Sequence, residues 1–295
     1  MSKKINKDIY ELIVQGPLAH TGLEDILSNL FVRVGIPWDQ LVEYREGPRL
    51  SICTFFRSRK SAYAVLKRIH RLNLKSVSAK INLLRQGDWQ NRWKKDIKPF
   101  ELTKHIDVVP LWHKSDDRPK KKKIVYIDTA MAFGTGLHET TRFVAQLIEQ
   151  CQGRFDSFLD IGTGTGILAM VAFQCFAKKV CAIDIDPASI KVARKNLSLN
   201  RFTGVQLIVV DVKDFKPQKQ FDFVVANLIT YDLILLKYKI CALVRPGGLL
   251  AVSGVSLRNL SWLKKEFKTL PLRCLTILKG QQWVGILYKK FSKNN

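Results

Sequence analysis

The chain has no apolar run long enough to cross a bilayer, no paired-cysteine spacing, and few acidic residues for its basic content. Each shortage removes a class of function. A membrane-spanning helix needs about 20 predominantly apolar residues. The best stretch, 221–245, is broken by Asp222, Asp232, Lys237 and Lys239, so no membrane partner is expected. The opening Met-Ser-Lys-Lys-Ile-Asn-Lys-Asp lacks the apolar core of a secretory signal. Six cysteines (Cys53, Cys151, Cys175, Cys181, Cys241, Cys274) are scattered, with no C-x-x-C and no histidine pair nearby. That spacing argues against a disulfide frame and a zinc site, and it predicts a soluble protein of the reducing cytosol with no metal. Only 25 Asp and Glu face 49 Lys and Arg, for a net charge of +24 and a pI near 9.9. Such a field favours anionic partners, with ribosomal RNA a candidate; its bland alternative is a solvated surface in a lysine-rich proteome.

What is present is organised around residues 157–186. A short apolar run, Phe158 to Ile161, reads as a buried strand; Gly162-Thr163-Gly164-Thr165-Gly166 reads as a turn, and Ile167 to Phe176 as a buried helix. A second strand, Val180 to Ile185, carries Asp184 near its end, and Pro187 suits the first turn of the next helix. Strand, glycine turn, helix, strand, acid is half of a Rossmann-type nucleotide site, with glycines because a backbone without Cβ turns tightly and approaches a ligand closely. Asp184 lies 22 residues past Gly162, about where a carboxylate accepts ribose hydroxyls. Dinucleotide turns read G-x-G-x-x-G and cradle a pyrophosphate. Here the pattern is D-x-G-x-G-x-G, and Asp160 before the first glycine would repel a pyrophosphate but attract an ammonium. S-adenosylmethionine, with an amino-acid tail, a ribose, an adenine and no phosphate, meets that description. A tight strand-to-helix turn with no ligand is the plain alternative.

Length permits two domains. The first 86 residues alternate strand and helix signals: Ile9 to Val14, a helix Thr21 to Val34, strands around Gln40 to Glu46 and Leu50 to Phe56, a helix Ala62 to Leu72 that is basic through Lys67, Arg68 and Arg71, and a strand Val77 to Leu84. The order βαββαβ predicts a small α+β ferredoxin-like domain over 1–86, used for recognition of a macromolecular partner. A linker over 87–100 carries Trp89 and Trp93, four apart on one face of a short helix and read as packing residues. Ile106 to Leu111 and Ile124 to Asp128 read as paired strands joined by a charged hairpin loop from Lys114.

Met131-Ala-Phe-Gly-Thr-Gly-Leu-His-Glu-Thr-Thr141 precedes a helix running to about Cys151, with Thr140 and Thr141 placed to open it. This stretch resembles the A-F-G-T-G-x-H-x-T-T loop of the PrmA-type ribosomal protein methyltransferases. The likeness continues through D-x-G-x-G-x-G, Ala182 to Pro187 and Val225-Ala226-Asn227-Leu228; upstream, Asp88-Trp89, Trp93-Lys94 and Lys98-Pro99-Phe100 are similar to the family's linker. The resemblance implies a Rossmann-like class I methyltransferase domain over 101–295, S-adenosylmethionine as methyl donor, and amino groups of large-subunit ribosomal protein number eleven as acceptor. Carried over by position, it assigns cofactor contacts to Thr141, Gly162, Asp184 and Asn227 and leaves the catalytic base unassigned. Three departures qualify it: Glu139 stands where proline is usual, Thr129-Ala130 replaces Pro-Gly, and Asn227-Leu228-Ile229-Thr230 replaces N-I-L-A. An RNA methyltransferase on the same scaffold, or an assembly factor without catalysis, are the alternatives.

The remaining signals complete an α/β fold. Val205 to Val210 leads to Asp211, placed to accept from the adenine amino group, with a loop-mouth carboxylate as its plain reading; Gly164 belongs to the same cofactor turn. Phe221 to Ala226 is a strand ending at Asn227, which an Asx turn would also explain. Arg245-Pro246-Gly247-Gly248 reads as a turn into Leu249 to Ser253. Leu272 to Leu278 and Trp283 to Tyr288 predict a terminal hairpin, giving a seven-stranded mixed sheet with one antiparallel strand. His138 is either a proton relay or a residue that fixes its loop.

Overall fold

The computed structural model describes residues 9–17, 36, 42–46, 49–56, 58–71, 77–84, 98–113, 122–128 and 138–291. The expected helix Thr21 to Val34, the Trp89 and Trp93 linker, most of the charged insert and the loop from Met131 to Leu137 lie outside the described residues. The chain divides into two compact units, Met1–Asp96 and Ile97–Asn295.

In the first unit, β1 (Ile9–Pro17), β2 (Val42–Glu46), β3 (Arg49–Phe56) and β4 (Ser78–Leu84) form one sheet in the order β2-β3-β1-β4, every neighbouring pair antiparallel. Helix α1 (Arg59–Arg71) connects β3 to β4, which flank β1 and are therefore parallel to each other: a split βαβ unit, as the sequence order predicts. The helix begins at Arg59, three residues ahead of the expected Ala62, because Ser58 opens it, its carbonyl accepting from Ala62 N–H. Val65 and Ile69 pack with Leu12, Val14, Ile36 and Ile52 as the core of this unit, and Ala62 is buried on the same helix face.

The second unit opens with a small sheet of β5 (Phe100–Glu101), β6 (Ile106–Pro110) and β7 (Lys123–Ile127). Here the hairpin expectation fails. β6 and β7 do pair, but in parallel, and a hairpin joins antiparallel strands. Apolar alternation reports which face is buried, and it is the same for either strand direction.

The main sheet has seven strands in the order β10-β9-β8-β11-β12-β14-β13. They are β8 (Ser157–Ile161), β9 (Lys179–Asp184), β10 (Val205–Val209), β11 (Phe221–Asn227), β12 (Val244–Ser256), β13 (Leu272–Lys279) and β14 (Trp283–Lys290). Only β14 runs against the others, so the expected mixed sheet with one antiparallel strand is present. Strands β8, β9 and β11 are covered on both faces and read as near-continuous apolar runs for that reason. Helices α2 (Glu139–Gln150), α3 (Ile167–Gln174), α4 (Pro187–Leu199), α5 (Thr230–Leu243) and α6 (Leu260–Phe267) complete the unit. Ile167 to Ala172 of α3 are all buried, which explains why that helix is apolar on every side.

Two local readings are corrected. Phe176, expected to end the buried helix, lies beyond α3 at a positive φ of 69°, is 67% exposed, and carries the Lys123 ammonium over its ring. Arg245 to Gly248, read as a turn, is an irregularity inside β12: the register jumps from Phe221↔Val244 to Phe223↔Leu249. Gly248 accommodates that jump because a Cβ there would lie 2.9 Å from Asp222 O.

Candidate active site

Strand parity explains how three polar side chains meet. On β8, β9 and β11, Phe158, Val180, Ala182, Phe223 and Val225 all belong to the core that includes Val144 and Leu147 of α2 and most of α3. Counting on by two along each strand brings Asp160, Asp184 and Asn227 to that same face, at the carboxyl edge of three adjacent parallel strands. This edge is also where the chain reverses direction across the sheet: β9 and β10 lie on one side of β8, β11 and β12 on the other. Open α/β sheets bind ligands at such a switch point.

The glycine turn is pinned by its own amides. Gly162 and Thr163 donate to Ile183 O at 2.9 and 3.0 Å, Gly164 donates to Asp184 Oδ2 at 2.9 Å, and Gly166 donates to Thr163 O at 2.9 Å. Gly162, Gly164 and Gly166 all have positive φ, and a Cβ on Gly162 would lie 2.8 Å from Leu228 Cδ2. A pyrophosphate-binding turn keeps such N–H groups free for the ligand. Here four of them are spent on the protein itself.

Asp160 is fully buried; Oδ2 accepts from Thr163 Oγ1 at 2.7 Å, and Oδ1 has no partner. Burial pushes its carboxyl up to about 7; the Thr163 hydroxyl and the Ala169 amide lower it, while the Asp184 charge raises it further. A buried carboxylate oxygen left open invites a cation. Asp184 is half-buried, its two oxygens each taking one backbone N–H, from Gly164 and Asp186 at 2.9 and 3.0 Å. Further lone pairs remain on both.

Asn227 Nδ2 donates to Thr140 Oγ1 and Thr141 Oγ1, each at 3.3 Å, so two residues 86 apart in sequence are in contact at the edge. His138 caps α2, Nδ1 lying 2.7 Å from Thr140 Oγ1, with its ring edge-on to Trp283 at 5.2 Å. Protein packed round the imidazole lowers its pKa despite the neighbouring Glu139 charge, which keeps Nδ1 an acceptor. Asp211 follows β10 beside the end of β9, where Val210 N–H donates to Asp184 O at 2.9 Å; Oδ1 accepts from Lys213 N–H at 2.9 Å, the loop-mouth contact of its plainer reading.

Two residues around the site, Asn196 and Gly254, escaped the sequence reading, and Glu139 entered it only as a departure from the family pattern. Asn196 of α4 is fully buried and joins two loops: its Nδ2 donates to Thr165 O at 2.9 Å, and its Oδ1 accepts from Asp128 N–H at 2.7 Å. A signal existed, since Asn196 falls on the apolar stripe of Ile190, Ala193 and Leu197, where a polar side chain needs partners. Gly254, with φ of +84°, lies against the Leu228 backbone. Glu139 accepts from Gln281 N–H at 3.1 Å, and a Cβ on Gly280 would push that same carboxylate out of its place. Gly280→Ala should therefore destabilise the native chain yet cost little in a Glu139→Ala background. A thermal-denaturation double-mutant cycle is expected to read a coupling of about 0.5–3 kcal/mol; additive losses would show that the two positions act separately.

S-adenosylmethionine fits these residues: an open buried carboxylate suits its ammonium, Asp184 has capacity for hydroxyls, and nothing in the turn is reserved for phosphate. Among the described residues no group of three or more His, Cys, Asp or Glu is placed to hold a metal ion. Fold and edge together define a Rossmann-like class I methyltransferase. The chain belongs to the ribosomal protein L11 methyltransferase (PrmA) family, whose model matches residues 35–291. Ribosomal protein L11 methyltransferase of Geobacter metallireducens is 32% identical over 209 residues, 71% of this chain and 68% of that protein. The protein of the same name from Ruminiclostridium cellulolyticum is 32% identical over 254 residues, 82% of this chain and 80% of its own. Among solved structures, ribosomal protein L11 methylase from Lactobacillus delbrueckii subsp. bulgaricus superposes with a TM-score of 0.62 at 26% identity, covering 66% of this chain and all of that one.

Proposed function

We propose that this methyltransferase transfers the methyl group of S-adenosylmethionine to amino groups, lysine side chains included, of ribosomal protein L11. The observation that carries the cofactor reading is the buried, unpartnered Oδ1 of Asp160 beside a turn whose amides are already engaged. The acceptor follows from family membership. Asp160 would hold the cofactor's ammonium and Asp184 its ribose, with Gly162 and Gly164 giving the backbone close approach. Asp211 would accept from the adenine amino group; Thr141 holds Asn227 in place, and the Asn227 amide would orient the acceptor nitrogen. When bound, S-adenosylmethionine supplies a methyl group already activated by its sulfonium. The protein's part is alignment, which is worth roughly 7–11 kcal/mol of barrier. A lysine acceptor must lose its proton first, at a cost of about 4–5 kcal/mol near pH 7 unless the site lowers its pKa.

In this reading the N-terminal unit holds the protein substrate, and the enzyme works in the cytosol, consistent with five buried free cysteines and one exposed. Among the described residues no helix is long and apolar enough to cross a membrane. The test is incubation with labelled S-adenosylmethionine and undermethylated large-subunit proteins, followed by mass analysis. Label on L11, abolished by Asp184→Ala, is expected. Label on RNA would replace the protein acceptor with a nucleic-acid one, and absence of cofactor binding would end the enzymatic reading.

A further inference from the structure

The basic excess has a definite arrangement on α1. This helix of 13 residues contains Arg59, Lys60, Lys67, Arg68 and Arg71 and no acidic residue. Its inner face is Ala62, Val65 and Ile69. At 3.6 residues per turn, Arg59, Lys60, Tyr63, Lys67, His70 and Arg71 fall within a sector of about 120° on the other side. All six are exposed, and Arg59 lies over the Tyr63 ring at 5.3 Å. Arg59, Lys60, Lys67 and Arg71 form no ion pair among the described residues.

Helix stability does not explain this pattern. Arg59 and Lys60 occupy the first turn, where the helix dipole disfavours cations, and Lys67 and Arg71 are like charges four apart. A stripe kept against these local costs suits a partner that brings negative charge in a row. The helix is about 18–20 Å long, enough to follow several phosphates. Tyr63, 40% exposed within the stripe, adds an aromatic ring among cations, the combination that bases stack on. An acidic protein would use the charges but has less use for the ring. We propose that this face of α1 binds the phosphate backbone of RNA. The inference extends the ribosomal setting of the proposed function, but its test involves no methyl transfer, so the two stand or fall separately.

The full chain is titrated against a fluorescein-labelled RNA hairpin with a single-stranded loop, reading anisotropy across a series of KCl concentrations. Replacing Arg59, Lys60, Lys67 and Arg71 together by Gln, a good helix former, is expected to reduce the log–log salt slope by about three to four and to weaken low-salt binding at least about tenfold. Replacing Lys191, Arg194, Lys264 and Lys265 by Gln removes the same formal charge from the second unit and should leave the slope within about one of the native value. If the fourfold α1 variant melts early, the Arg59/Lys60 and Lys67/Arg71 pairs are tested separately, each expected to remove about two. Equal slopes for native and α1 variants would overturn the proposal. So would equal losses from both fourfold variants, which would mean diffuse charge. Stripe-dependent binding of polyglutamate with none of the RNA would reassign the face to an acidic protein.

Discussion

Asp160→Asn is expected to weaken binding of S-adenosylhomocysteine, which retains the ammonium, by about 2–5 kcal/mol, the usual cost of removing one partner from a buried charge pair. That corresponds to roughly 30- to several-thousand-fold in dissociation constant. The native protein should also show a pH dependence that the variant lacks. Burial holds the Asp160 carboxyl near 7, so below that pH the site must give up a proton to meet an ammonium. Affinity should rise with pH until about 7 and then level, and calorimetry at pH 6 in buffers of different ionisation enthalpy should record proton release. For the ligand-free protein the sign is opposite. A carboxyl whose folded pKa is raised contributes stability that is present below its unfolded pKa and lost as pH rises through about 7. By pH 8 that loss is on the order of 4 kcal/mol, so the Asn variant should melt higher than the native chain there while binding ligand poorly. Native-like affinity in Asp160→Asn would remove the ammonium from this carboxylate.

Gly254→Ala should be the most damaging single methyl group. Its φ of +84° is strained for alanine, and the new Cβ would overlap Leu228 O and lie 2.6 Å from the Leu228 carbonyl carbon. Backbone cannot swing aside as a side-chain tip does, so the segment after β11 has to move. Leu228 is bonded to Asn227, which is held by Thr140 and Thr141 at 3.3 Å. A displacement of about 1 Å in a reacting constellation can cost about 100-fold in rate. The expected result is a fall of that order in kcat/KM, with about 1–3 kcal/mol lost in stability from overpacking. Methylation rates and thermal melts on the same preparation separate the two. A destabilised variant with native kcat/KM would show that the Asn227 segment does not need this seat.

These two positions mark how far the sequence could be read. Asp160 announced itself, because an acid directly before a glycine turn has a chemical consequence that needs no neighbour. Gly254 sits in Ser-Gly-Val-Ser and says nothing until Leu228, from another strand end, is placed against it. Glu139 likewise stood out only as a departure from the family pattern, and its partner Gln281 lies 142 residues away.

By itself the sequence determined what local chemistry and periodicity can carry: the alternation of apolar strands and helices, the glycine turn with Asp160 and Asp184, and the closing pair β13 and β14; the opening of α2 it misplaced, since His138 rather than Thr140 or Thr141 caps that helix. Strand direction was beyond it. β6 and β7 carry the same apolar alternation whether parallel or antiparallel, and only the packed sheet chose parallel. The tertiary structure also decided that Asp160, Asp184 and Asn227 share one face, that Asn196 bridges Thr165 and Asp128, and that Gly254 must remain bare. The physical reason is common to all of these. A strand dictates the face of its own residues by parity, but which foreign groups arrive opposite them is set by packing between segments far apart in the chain.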